Sequence, residues 1–341
     1  MKALRKSNIE ALRLISMFFV LIIHANFLSK TTLLSLEAPI TVYTQFFFAS
    51  ISFTCVNIFV LISGWFGISF KVKGLCSFLF QCYFWSVFCC VLSYIIEDDK
   101  TLNLNVIYTC LMLRQDSYWF VKSYLLLYLL SPLLNTFVEH TTKKQFLSVL
   151  ISFFVFQTLL GWATYAVNFF ESGYSTTSFV GLYLLARYIK LYTPKWCKLS
   201  PQKDLGIILL IIIITSTISF ISVRLGTKTI WIIIYSYINP IIIFESLLFV
   251  VLFNKLHFQK KLINCCATST FAVYLFHCND YIFRPYYQRY SQYIFNQWNG
   301  IEYLCIIFIF MLSIFVFSIL FDKLRIIIWN FLYRIYNHPT Y

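Results

Sequence analysis

Charge is scarce in this chain. Only 12% of its 341 residues are Asp, Glu, Lys or Arg, against about 25% in an average soluble domain. A water-soluble fold with 60% hydrophobic residues would lack material for its surface. Glycine and proline are also few, 9 and 7, and they gather in no linker that would divide soluble domains. Signature loops are missing as well. There is no Walker A loop and no GxGxxG, which argues against a nucleotide-driven pump, and there is no GxSxG elbow. The eleven cysteines form no CxxC pair and have no Cys/His metal spacing, so no metal site is expected and they read as small packing residues.

What is abundant is apolar sequence in long blocks, such as ILLIIIITSTISFISV after Leu205. A helix needs about 20 mostly apolar residues to cross roughly 30 Å of hydrocarbon. The blocks are too continuous to alternate as barrel strands do. The expected fold is therefore all-α: a polytopic integral membrane helical bundle of about ten transmembrane helices, near 9–29, 45–67, 74–96, 118–138, 146–165, 176–193, 205–223, 230–254, 263–283 and 301–322. A short piece near 104–113 is too brief to cross, and the basic, aromatic tail after about residue 323 is expected at the interface. Residues 1–341 read as a single transmembrane domain with no appended soluble domain. The first apolar segment carries Arg13 and His24 and lacks a small-residue cleavage site, so it reads as a retained span rather than a signal peptide.

An even number of spans puts both termini on one side. With that side cytoplasmic, 17 basic residues fall inside and 7 outside (Lys30, Lys100, Arg114, Arg224, Lys228, Arg284 and Arg289), while Arg13, Lys122 and Arg187 lie within spans. The positive-inside rule thus predicts an N-in, C-in topology. The net charge of +14 is mostly this bias, and its scatter over short loops argues against a nucleic-acid partner. The partners this composition requires begin with a lipid bilayer.

Ionisable groups in hydrocarbon are expensive and usually face a cavity or a partner. The first span holds Glu10, Arg13 and His24. Arg13 and His24 are eleven residues apart, which on a helix returns to within about 20° of the starting direction after a rise of about 16 Å. One face then offers a forked anion donor near one end and a base further along. The alternative is a snorkelling arginine with a satisfied interhelical histidine. The second span ends in VNIFVLISGWFG, where Asn57, Ser63 and Gly64 also suit plain helix packing. In the fourth, Trp119 suits the interface, Lys122 can snorkel outward or meet an anion, and Pro132 can open the helix. Glu245 sits deep in the eighth, near Asn239 and Pro240, and needs a partner or a proton. In the ninth, Tyr274, His277, Asp280 and Arg284 are spaced three, three and four, as one polar stripe with Asp280 and Arg284 set for an ion pair. This stripe reads either as the second wall of a polar channel or as a private ion-pair network. His140, His257 and His338 read as solvated.

Four segments resemble the acyltransferase 3 family in the family's order. NIEALRLISMFFVLIIHAN is similar to its opening, an LR pair followed by a histidine eleven residues on, here Arg13 and His24. VNIFVLISGWFG is similar to its Ser-Gly pattern at Ser63 and Gly64. YWFVKSYLLLYLLSPLLN resembles the segment built on Trp119, Phe120, Tyr128 and Pro132, and STFAVYLFH resembles the late YLxH motif at Tyr274 and His277. The resemblance implies a ten-helix enzyme, similar to the stand-alone polysaccharide O-acetyltransferases, that takes acyl groups from cytoplasmic acyl-coenzyme A (acetyl-coenzyme A) as donor substrate, with no bound cofactor, and modifies an extracytoplasmic or lipid-linked glycan. It implies a catalytic His24 supported by Arg13. The stretch KVKGLCSFLFQCYFW carries Lys71 and Lys73 where many members have an arginine, and lysine is not a forked donor. On this reading Lys71, Lys73 and Arg13 meet the coenzyme phosphates, and His277 with its stripe orients the acceptor. Trp119, Lys122 and Glu245 are further candidates for substrate contact. A glycan flippase and a non-catalytic scaffold are the rival readings. The isoleucine- and phenylalanine-rich composition looks like that of a bacterial inner-membrane protein.

Overall fold

The structure is a computed structural model that describes residues 5–25, 39–96, 104–112, 118–164, 169–227, 230 and 233–337. Lys2, Lys30, Lys100, Arg114, Lys228 and His338 lie outside the described residues. Among those described there is no strand. The helices are α1 (Ser7–His24), α2 (Pro39–Ser52), α3 (Cys55–Phe66), α4 (Val72–Ile96) and α5 (Leu104–Cys110), then α6 (Trp119–His140), α7 (Lys143–Phe156, prolonged by a π-helical turn Gln157–Trp162) and α8 (Thr176–Tyr192). They continue with α9 (Pro201–Arg224), α10 (Pro240–Lys255), α11 (Lys261–Ala267), α12 (Thr270–His277), α13 (Arg289–Gln297) and α14 (Gly300–Asn337). Among the described residues, seven segments are long and apolar enough to cross a membrane: α1, Val42–Phe66, α4, α6, Lys143–Trp162, α9 and Gly300–Tyr336.

Two expected spans and the tail take a different form. The ninth, 263–283, is broken: α11 ends at Ala267, α12 ends at His277, and turns follow. At the first break Thr268 Oγ1 bonds back to Cys265 O at 2.7 Å, the local competition with the helix ladder that Ser and Thr offer. Lys323 Nζ then donates to Cys265 O, Thr268 Oγ1 and Ser269 Oγ. The eighth is interrupted: residues 230, 233 and 234 are helical, 235–239 are not, and α10 starts at Pro240, where Asn239 caps it by accepting from Ile241 N–H at 2.9 Å and proline suits the first helical position. The tail after 323 is no separate segment, since α14 runs unbroken for 38 residues, about 57 Å at 1.5 Å per residue.

The chain divides into two compact units, residues 1–69 with 122–264, and residues 70–121 with 265–341. In the first unit α1 packs on α2, α3 and α10, α3 packs on α8, and α9 packs on α2 and α10. The α3–α8 approach depends on Gly64, where an added Cβ would lie 2.4 Å from Tyr183 O. The start of α1 closes one end of this unit. Asn8 Nδ2 donates to Phe253 O and Leu256 O at 2.8 and 2.7 Å, satisfying carbonyls at the C-terminal end of α10. Ser7 Oγ bonds Asn264 Oδ1 at 2.9 Å and accepts from Lys260 N–H. Helix α9 shows the inversion expected of a lipid-facing element. Ile213, Ile214, Ile218 and Ile221 are exposed, while Thr215, Ser216, Ser219 and Ser222 are buried. Ser216 Oγ bonds Ser50 Oγ on α2, which bonds Tyr235 Oη, both at 3.0 Å.

The second unit is held by α4, α12 and α14. Its centre is Trp85, fully buried, whose Nε1 donates to Asp322 Oδ1 at 2.9 Å. Arg325 grips the same carboxylate through Nε at 3.0 Å and Nη2 at 2.7 Å. The forked geometry satisfies a buried pair that would otherwise be costly.

Candidate active site

Helix α1 is uninterrupted from Ser7 to His24, so Arg13 and His24 do share one helix, in the register that places them on one face. Both side chains are half-buried. Glu10 lies one turn before Arg13 and is mostly buried; its carboxylate is 3.5 Å from Arg13 Nη1 and 3.8 Å from Arg5 Nη1. A carboxylate shared by two cations leaves an excess of positive charge near the start of the helix, while His24 closes its far end as the last helical residue. An anion at the first position and a proton transfer at the second are chemically compatible, because a guanidinium is a forked cation and a neutral imidazole has a ring nitrogen that can accept a proton.

The remaining predicted residues belong to other elements. Lys71 is exposed just ahead of α4, and Lys73 in its first turn sits 3.5 Å from the centre of the Tyr333 ring on α14; both belong to the second unit. Trp119 and Lys122 are half-buried in the first turn of α6. Glu245 is fully buried on α10, and neither carboxylate oxygen has a hydrogen-bond partner among the described residues. The next residue, Ser246, bonds Thr54 O at 3.3 Å, where the chain turns between α2 and α3.

The polar stripe of 274–284 needs correction. The helix stops at His277, so Asp280 and Arg284 are not one turn apart, and both are exposed. The cause is Asn279. Its Oδ1 accepts from Tyr281 N–H at 3.0 Å, its carbonyl from Ile282 and Phe283, and its Nδ2 donates to Tyr118 Oη at 2.8 Å. Tyr274 and His277 remain buried on α12. His277 Nδ1 is 2.5 Å from Val273 O, and its ring lies 5.2 Å from that of Tyr287. His277 also borders an apolar cavity of about 250 Å³ within the second unit, together with Phe276, Tyr286, Tyr287 and Phe310.

Two polar residues of the first unit escaped the sequence reading. Gln45 on α2 is buried, with both amide atoms unpartnered among the described residues, and Asn57 on α3 donates to Tyr237 O at 2.9 Å while its Oδ1 is unpartnered. The sequence offers Asn57 only a packing role. A lone glutamine in the apolar run TQFFFASISF was the available signal for Gln45.

Apolar outer faces around buried polar groups define a polytopic helical membrane protein with an interior suited to polar chemistry. The family described as an acyltransferase domain, acyltransferase 3, matches residues 6–323. The chain belongs to that family and is a membrane acyltransferase. No curated protein and no solved structure matches it.

Proposed function

We propose that this chain moves an acetyl group from acetyl-coenzyme A on the cytoplasmic side to a hydroxyl of an extracytoplasmic or lipid-linked glycan, in a bacterial cytoplasmic membrane. The observation that carries this reading is the unbroken α1, with Arg13 and His24 on one face about 16 Å apart along the axis. That separation suits a donor whose phosphates and thioester lie at opposite ends of an extended arm. The orientation follows from charge. Lys143, Lys190, Lys195, Lys198, Lys203, Lys255 and Lys260 belong to helix ends and turns on the side of the first unit where α1 begins, which favours a cytoplasmic N-terminal end.

In the reaction, His24 accepts the proton of the sugar hydroxyl as its oxygen attacks the thioester carbonyl. The tetrahedral intermediate collapses, the carbon–sulfur bond breaks, and the imidazolium returns the proton to the leaving thiolate. Arg13, steadied by Glu10, holds negative charge of the donor. The test is His24→Ala in proteoliposomes with labelled acetyl-coenzyme A and the host glycan. Transfer should fall by about 10²–10⁴-fold, with thermal unfolding unchanged. A variant that transfers at the wild-type rate removes His24 from the chemistry.

A further inference from the structure

Beyond Arg13, the first unit holds a second group of cations that no carboxylate among the described residues pairs. Helix α3 ends in Trp65, Phe66 and Gly67, and three basic side chains converge on these residues. Arg187 of α8 lies against Gly67, since a Cβ added there would sit 3.1 Å from its Nη1. Lys190, one turn further along the same face of α8, places Nζ 5.1 Å from the Trp65 ring centre. Lys6, just before α1, places Nζ 5.9 Å from the Phe66 ring centre. Lys6 and Lys190 are near enough to feel each other's charge. Among the described residues none of the three has a carboxylate within ion-pair distance. Glu10 is engaged by Arg5 and Arg13.

Two buried donors here are also unmet. Arg187 Nε and Trp65 Nε1 are buried without a hydrogen-bond partner among the described residues, and Trp65 is only 5% exposed. A buried N–H left unpaired costs about 1–3 kcal/mol, so such groups normally have an acceptor. A helix C-terminus draws cations, but its charge of about −0.5 does not balance three. Gly67 has φ of 77°, and its missing side chain leaves the guanidinium room against the backbone.

We infer that Arg187 and Lys190, with Lys6 and the turn at Gly67, form a phosphate-binding subsite that anchors the phosphate end of the acyl donor. The inference rests on the transfer reading and adds to it residues to which that reading gave no role. The guanidinium supplies a fork for phosphate oxygens, and the two ammonium groups supply charge.

The test uses the full chain in phosphatidylcholine nanodiscs, with Arg187→Gln and Lys190→Gln and the conservative Arg187→Lys and Lys190→Arg. Each glutamine variant should raise KM for acetyl-coenzyme A about tenfold or more while kcat stays within about twofold, and Lys190→Arg should recover most of the loss. Inorganic pyrophosphate should compete with the donor in the wild type and weakly in Arg187→Gln. Unchanged KM in both glutamine variants overturns the subsite and leaves the transfer reading intact. Unchanged KM with loss of co-purifying phosphatidylglycerol assigns the site to a lipid headgroup and overturns the donor assignment. If the wild type turns over no acetyl-coenzyme A, the transfer reading falls. Pyrophosphate binding that depends on Arg187 would then still support a phosphate site, and its absence would overturn that too.

Discussion

Arg13 Nη1 lies 3.5 Å from Glu10 Oε2, one helical turn earlier on α1, and Glu10 is far more deeply buried than its partner. The pair separates charge from geometry. Arg13→Lys keeps a cation for Glu10 but loses the fork, so its unfolding temperature should stay within about 2 °C of wild type while kcat/KM falls about tenfold or more. Arg13→Ala should also lose stability, by about 1 kcal/mol, because Glu10 keeps only the half-exposed Arg5. Differential scanning fluorimetry and the transfer assay read the two effects separately. Full activity in Arg13→Lys would show that charge alone suffices.

Helices α3 and α8 approach through Gly64, where a Cβ would meet Tyr183 O at 2.4 Å and Ala186 Cβ at 2.9 Å. Backbone cannot rotate away as a flexible side chain can, so the helices must separate. Gly64→Ala should cost about 1–3 kcal/mol, read as a lowered unfolding midpoint in detergent. Because Tyr183 also accepts from Ile68 N–H and bonds Asn135, and Arg187 sits on the same helix, the donor KM should rise as well. A variant as stable as wild type would mean that the α3–α8 contact is loose.

Much of this was legible in the sequence. Hydropathy located α1, α4, α6 and α9 to within a few residues, because a continuous apolar run has one economical solution in a membrane. The eleven-residue spacing of Arg13 and His24 translated directly into shared helix and face. The ninth span failed because hydropathy does not register side chains that take over backbone hydrogen bonds. Thr268 and Asn279 end helices here without a proline or glycine, and Asn279 needs Tyr118, distant in sequence, to hold its turn. The Asn239–Pro240 start of α10 was written in the sequence as a cap followed by proline, yet the apolar residues before it masked the boundary. The Arg187–Gly67 contact joins residues 120 positions apart, and no local pattern announces it.

In the second unit, Asp322 is fully buried and takes four donors, Trp85 Nε1, Arg325 Nε and Nη2, and, at 3.4 Å, Gln81 Nε2. Trp85→Phe removes one donor and keeps most of the ring packing, so it should cost about 1–2 kcal/mol. Arg325→Met leaves a buried carboxylate without its cation, held only by two neutral donors, and should cost about 3–5 kcal/mol. The double variant Asp322→Leu/Arg325→Met should be closer to wild type than Arg325→Met alone, since no charge is stranded. Equal losses in the single and double variants would show that the ion pair itself, rather than the cost of an unpaired charge, sets the stability.

Cys197 offers a chemical readout of the loop between α8 and α9. It lies in the short turn Lys195–Lys198, where burial pushes its thiol up to about 11, with the Lys255 ammonium pulling down and the Asp204 carboxylate pushing up. The thiolate is the reactive form, and its fraction at pH 8 is about one in a thousand, rising tenfold per pH unit until the thiol titrates. Maleimide modification of the peptide carrying Cys197, followed by mass spectrometry, should therefore be slow at pH 8 and accelerate through pH 10. Asp204 is fully buried and paired with Lys255, whose Nζ also donates to Leu199 O at 2.9 Å. Replacing Asp204 with alanine removes the pair that ties α9 to α10 and should open the turn, so that Cys197 reacts quickly even at pH 8. Slow labelling in Asp204→Ala would show that the turn is held by packing of Cys197 and its neighbours, and that the buried pair contributes little to keeping it closed.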